Sequence, residues 1–190
     1  MVVAPPSGAA VNWTVRRAVP ADAARIAEIN VDGWRAAYRG LIPDSYLDGM
    51  RYETLRERWA TGLRGHTDAA SMFVATGPDG RIEAYAFVRS VRDEADRHPV
   101  HATGELCAIY ADPRRRGTGA GHAVHQAALG HLAAYGFRHV VLWVLTGNGP
   151  ARRFYEAHGW SCDEVEKDGG IAGEWTPEIR YSRPIQESKM

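Results

Sequence analysis

Residues 105–121 read ELCAIYADPRRRGTGAG. A run of β-forming residues, 105–111, ends at Asp112 and Pro113, crosses three arginines and enters glycines at 117, 119 and 121, directly before a helical pattern that runs to about Tyr135. Glycine at a strand-to-helix junction admits two readings. It can serve the geometry of a tight turn alone, or it can let backbone N–H groups approach an anion at the positive end of the helix dipole. The familiar phosphate-binding spacings are absent: a P-loop needs Gly, four residues, then Gly-Lys-Ser/Thr, and no such lysine is present. A dinucleotide fingerprint counted from Gly117 needs a glycine where the chain has His122. Arg114, Arg115 and Arg116 add positive charge beside the glycines.

Outward from this stretch the pattern alternates clearly. After the helix, residues 140–145 form the most apolar run, Pro150 opens a short helix that closes near Gly159, and strands are expected at 160–165 and 178–183. On the N-terminal side, residues 14–18 suit a strand, and Pro20 with Asp22 suits the first turn of a helix. Ile26, Ile29, Gly33 and Ala37 continue that helix at helical spacing until Gly40 and Pro43. Tyr52, Leu55 and Trp59 make a second stripe that closes at Gly62. Residues 71–76 and 81–89 flank Gly77-Pro78-Asp79-Gly80, an antiparallel hairpin signal, and RDEADRH at 92–98 reads as a solvated loop. The order is strand, two helices, three strands, helix, strand, helix, two strands. That is an α+β order, unlike a doubly wound dinucleotide fold.

The chain has 190 residues, 45% of them apolar, which suits one core: a single domain at 13–185 between short tails at 1–12 and 186–190. Its 23 basic and 23 acidic residues cancel, so no overall field favours nucleic acid or an anionic membrane, and any anion site must be local. Cys107 and Cys162 lie in apolar runs and read as unpaired, buried hydrophobes. No stretch resembles a signal peptide or a membrane span, which predicts a soluble, cytoplasmic protein. His122, His125 and His131 on the helix after the loop lack the spacing of a metal site and read as surface residues; no metal is expected.

Arg116, Gly119 and Gly121 match the signature Arg/Gln-x-x-Gly-x-Gly/Ala, and here the chain resembles the GNAT superfamily of acetyltransferases. LWVLTGNGPARRFYEAHGW at 142–160 is similar to the family's fifth strand, asparagine, helix and closing FYE-x-x-GF motif. RRAVPADAARIAEI at 16–29 and WRAAYRGLIPDSYLD at 34–48 resemble the opening helices of bacterial members, so the resemblance spans residues 14–184. It implies a mixed sheet of about six or seven strands, splayed between the fourth and fifth and flanked by about four helices. It also implies acetyl-CoA as the acetyl donor, with its pantetheine arm on the backbone of Ile109, Tyr110 and Ala111 and its pyrophosphate on Arg116, Gly117, Thr118, Gly119, Ala120, Gly121 and His122.

The resemblance gives further residues a role. Acetyl transfer to an amine needs a neutral amine, a stabilised oxyanion and a proton for the departing thiolate. Tyr155 suits the last service, because a phenol stays protonated at neutral pH; its rival reading is a core aromatic beside Phe154. Asn148 is expected either to bond the pantetheine or to cap the following helix. Glu105 stands where some members carry the base that deprotonates the amine, and otherwise reads as a strand-end carboxylate in solvent. Trp143 occupies the fifth-strand position where ribosomal-protein N-terminal acetyltransferases usually have an acid, which weighs against that activity. Trp34 and Tyr38, four apart on the first helix, are expected on the acceptor wall, with core packing as the rival for Trp34. Arg152 and Arg153 read as solvated.

The expected function is therefore direct transfer of acetyl from acetyl-CoA to a primary amine of a small molecule in a ternary complex. Cys107 has no basic neighbour in sequence and is a poor nucleophile for a two-step route. The alternatives are acetylation of a protein lysine or N-terminus, and a non-catalytic acyl-CoA sensor. The expected partners are the small amine and a second copy of the chain in a homodimer.

Overall fold

Gly77-Pro78-Asp79-Gly80 closes the first hairpin: the Gly77 amide donates to the Arg81 carbonyl at 2.9 Å, and Gly80 supplies the positive φ of 77° that the turn demands. The computed structural model containing it describes residues 12–65 and 70–185. The expected tails, apart from Asn12, lie outside the described residues. Seven strands form one sheet: β1 Thr14–Arg17, β2 Ser71–Thr76, β3 Ile82–Ser90, β4 Thr103–Ala111, β5 His139–Leu145, β6 Ser161–Asp168 and β7 Pro177–Pro184. Their order is β1-β2-β3-β4-β5-β7-β6, antiparallel throughout except for the β4–β5 pair. The helices are α1 Ala23–Tyr38, α2 Asp44–Gly49, α3 Tyr52–Arg64, α4 Ala120–Ala134 and α5 Gly149–Ala157.

Alternation along β2 sorts the two faces of the sheet. Met72 and Val74 join Ala23, Ile26, Ile29 and Leu63 under α1 and α3, while Phe73 and Ala75 join Val124, Ala128 and Leu132 of α4 on the opposite face. The sheet is thus a middle layer, and β4 is gripped from both sides. A Cβ on Gly33 of α1 would lie 2.9 Å from the Tyr110 ring, and a Cβ on Gly104 of β4 would lie 2.8 Å from Leu132 of α4. Both glycines allow a helix to approach more closely than any other residue would permit.

The splay has a local cause. β4 and β5 pair only over Thr103–Glu105 with His139–Val141. Directly after Leu106 the β3–β4 register slips, Val88 pairing with Leu106 but Phe87 with Ala108, which leaves Cys107 as the extra residue of a bulge. The bulge reverses the alternation: Leu106 packs on the α4 side, yet Ala108 and Tyr110 pack on the α1 side and Ile109 and Ala111 return to α4. β4 bends away from β5 at that point and the two strands part.

Two expectations need correction. The segment 40–52 contains a helix, α2, whose six residues are too few to display a period; Leu47 fixes it against Ile42 and Leu145. The loop at 92–98 is not simply solvated, since Asp96 is buried, accepting from Trp143 Nε1 and from Arg180, both at 2.9 Å. Its two hydrogen bonds replace the water it gives up.

Candidate active site

Where β4 and β5 diverge, a cleft of about 500 Å³ opens, lined by Leu106 to Ala111 on one wall and by Trp143, Val144 and Leu145 on the other. It runs to the loop before α4, reaching Arg115, Arg116, Gly117, Gly119, Ala120, Gly121 and His122. Gly117 and Gly119 take φ of 76° and 92°, a left-handed conformation closed to most side chains. The amides of Gly117, Thr118 and Gly119 make no hydrogen bond among the described residues. Unpaired amides at the positive end of a fifteen-residue helix make a local anion cradle in a protein without net charge. The cradle is tied down from outside. Trp13 Nε1 donates to the Thr118 carbonyl at 3.0 Å and the indole lies against Gly119, while the Thr118 hydroxyl donates to the Arg115 carbonyl at 2.8 Å.

At the other end stand three tyrosines. The hydroxyls of Tyr38 on α1 and Tyr110 on β4 are 2.8 Å apart, and Tyr155 of α5 faces the same cleft. The Tyr155 side chain is 8% exposed and its hydroxyl has no hydrogen-bond partner among the described residues. Burial, with the neighbouring Tyr38 adding to it, pushes the Tyr155 phenol well above its ordinary range, so it remains a proton donor at neutral pH. Burial chiefly, and then the Glu105 carboxylate, likewise push the Cys107 thiol far up. A thiol kept protonated in this way is a poor nucleophile.

The structure brings most of the expected residues together. Ile109, Tyr110 and Ala111 lie on the cleft wall, on the length of β4 that has no β5 partner. Asn148 lines the cleft and also caps α5, its Oδ1 accepting from the Ala151 amide at 3.2 Å. Tyr38 lines the cleft; Trp34 does not, because it turns edge-on to Tyr38 with ring centroids 4.9 Å apart and packs on Ile42 and Leu47. Glu105 also stays off the lining. It sits on the still-paired part of β4, held by Arg89 through Nε at 3.0 Å and Nη2 at 2.9 Å.

Other residues depart from their expected places. His125 is fully buried rather than on the surface, its Nε2 accepting from Trp160 Nε1 at 3.0 Å, and burial lowers its pKa to about 3. Arg152 is not simply solvated, since it donates to the Tyr181 hydroxyl and the Thr146 carbonyl and joins α5 to the sheet. Glu178, which the sequence did not single out, lines the cleft at its open end with Trp143. Its only signal was a place near the start of the last strand, and that is silent about what lies across the sheet.

The profile of the Acetyltransferase (GNAT) family matches residues 29–160. A relative from Bacillus subtilis (strain 168), named Uncharacterized N-acetyltransferase YuaI, is 32% identical over 173 residues, which is 90% of this chain and 92% of its own. PaiA N-acetyltransferase from Thermoplasma acidophilum, solved in complex with coenzyme A, has a TM-score of 0.73 at 15% identity, covering 91% of this chain and 99% of that one. A phosphinothricin acetyltransferase from Sinorhizobium meliloti, solved in complex with AcCoA, has a TM-score of 0.67 at 24% identity, covering 93% and 90%. At these identities the two solved structures share the fold, whereas the profile and the Bacillus relative speak for the sequence itself: the chain belongs to the GNAT acetyltransferase family.

Proposed function

We propose that this acetyltransferase moves acetyl directly from acetyl-CoA to a primary amine of a small molecule while both are bound. The observation that carries the reading is one continuous cleft with an anion cradle of unpaired amides at one end and the Tyr155 phenol at the other. The cradle suits a pyrophosphate, with Arg116 and His122 at its rim. The unpaired stretch of β4 offers N–H and C=O groups to the amide bonds of a pantetheine arm, as an added strand would use them. Asn148, already fixed by its cap, presents its remaining amide to the same arm.

Direct transfer follows from the wall chemistry, since Cys107 is the thiol in the cleft and burial keeps it protonated. A departing CoA thiolate in the same apolar surroundings is equally destabilised, which narrows the gap between its proton affinity and that of Tyr155. A small acceptor is the reading we favour; the β6–β7 connection packs Ile171 against the cluster of Ile42, Leu47 and Leu145, of which Leu145 also lines the cleft. Thiol release from acetyl-CoA with a broad panel of primary amines, with the acetylated product read by mass spectrometry, tests the reading. Turnover without a burst is expected. Coenzyme binding without turnover on every amine and peptide indicates a sensor, and turnover on peptides alone indicates a protein acetyltransferase.

A further inference from the structure

Glu178 is the single carboxylate among the described residues that lines the cleft. It pairs with Leu145, the last residue of β5, and so stands at the open end of the splay, where an acceptor must enter. Trp143 and Lys167 lie on the same sheet face: Trp143 pairs across with Arg180, two residues on from Glu178, and Lys167 pairs with Glu178 itself. The Lys167 ammonium already rests 4.0 Å from the centre of the Trp143 ring and 3.9 Å from a Glu178 oxygen. An indole face beside a carboxylate is a surface that holds an ammonium ion. At 3.9 Å, and with the lysine 43% exposed, that pairing is loose enough to yield to a ligand. Gly169 gives the glutamate its room, since a Cβ there would lie 3.0 Å from Glu178 Cδ.

From this arrangement we infer that Glu178 binds the acceptor's ammonium and takes its proton, so that the acceptor is a primary amine on a compact apolar or aromatic body. The inference rests on the transfer reading above and adds the base and the acceptor class. Glu105, the other carboxylate in the neighbourhood, is occupied by Arg89. The charged and titratable groups that act on Glu178 are Lys167 and Asp168 from β6, Glu105 from β4 and Tyr38 from α1. Burial first, then the Asp168 and Glu105 charges, raise its carboxyl against the opposing pull of Lys167, toward the range in which a base exchanges protons.

The step balances. The bound ammonium gives one proton to the Glu178 carboxylate, and the freed nitrogen lone pair attacks the thioester carbonyl, forming the C–N bond. The tetrahedral intermediate collapses with cleavage of the C–S bond, and the departing sulfur takes its proton from the Tyr155 hydroxyl. The second nitrogen proton returns to the Tyr155 oxygen through the site, leaving a neutral amide, a CoA thiol and the proton on Glu178, which passes to solvent.

Thiol release with phenethylamine, tyramine and putrescine as probes, from about pH 6 to pH 10, decides the matter when run on the wild type, Glu178→Gln and Glu105→Gln. Glu178→Gln is expected to lower kcat/KM for the amine roughly 10²–10⁴-fold near neutrality and to recover as the free amine accumulates at high pH. Its acetyl-CoA affinity stays unchanged, and Glu105→Gln keeps kcat/KM near the wild-type value at neutrality, its acidic limb moving only slightly to lower pH because one of the charges that raise the Glu178 carboxyl is gone. A Glu178→Gln enzyme with the wild-type pH profile, or the same loss in Glu105→Gln instead, overturns the inference. Calorimetry of phenethylammonium binding to the CoA complex gives a readout free of turnover, with a weakening of about tenfold or more expected in Glu178→Gln. If the wild type turns over no amine but this binding still depends on Glu178, the transfer reading falls and the anchor stands. If binding is indifferent to Glu178, the inference falls.

Discussion

Tyr155 combines two properties that one substitution separates. Its ring packs 6.0 Å from the Trp160 ring and 5.7 Å from that of Phe154, and its hydroxyl has no hydrogen-bond partner among the described residues. Tyr155→Phe keeps the ring, so folding and coenzyme affinity are expected to persist while kcat drops roughly 10- to 10⁴-fold. Steady-state kinetics with chemistry shown to be rate-limiting checks this, and a Phe variant as fast as the parent reduces Tyr155 to a core aromatic. At this scale the sequence was legible where the cleft is built from residues local in the chain: the glycines at 117 and 119, Asn148 and Tyr155 each sit inside a short motif and each lines the cleft. It was illegible where neighbours come from different strands. Glu105 was conspicuous at the head of its strand, but Arg89 on β3 occupies it; Glu178 was inconspicuous, but the β5–β7 pairing carries it to the cleft.

Among the elements, α4 shows how a histidine is accommodated in a core. His125 is enclosed by Phe154, His158 and Trp160, with the Trp160 indole donating to it. Desolvation first, then the neighbouring His158, Arg183 and His122, lower its pKa to about 3. The folded value lies below the unfolded value of about 6.5, so the unfolded chain takes up the proton first. Stability held above that pH is therefore lost as the pH falls from about 6.5 toward the folded value, by an amount on the order of a few kcal/mol. Denaturant unfolding at about pH 7 and pH 5 is expected to show this loss in the wild type and a flatter dependence in His125→Leu. The variant starts about 1–3 kcal/mol lower, because the Trp160 N–H loses its acceptor. Equal losses in both proteins contradict the account. Strand and helix order was readable because hydrophobic period and turn glycines declare it. The bulge at Cys107 was not, since a single extra residue leaves composition and spacing unchanged and is defined only by the register with β3.

For the whole molecule, the sheet opens at one place. β4 is fastened to β3 over its length, β5 to β7 over its length, and the two halves meet in three residue pairs. The residues proposed for the coenzyme line or adjoin the gap that follows, and the strong positive feature there among the described residues is the amide cradle with its arginines, in a chain whose formal net charge is zero. The central claim is that this gap holds acetyl-CoA with its pyrophosphate on the loop at 117–121. Gly119→Val forces a β-branched residue into a φ of 92° beside the Trp13 indole, a local strain of about 1–2 kcal/mol that the fold can absorb but the loop cannot without turning its amides away. Calorimetric titration of acetyl-CoA into the wild type and into Gly119→Val, each shown by circular dichroism to be folded, is the most direct test. The account predicts saturable binding to the wild type and a loss of about 100-fold or more in the variant, and equal affinity in the two proteins would contradict it.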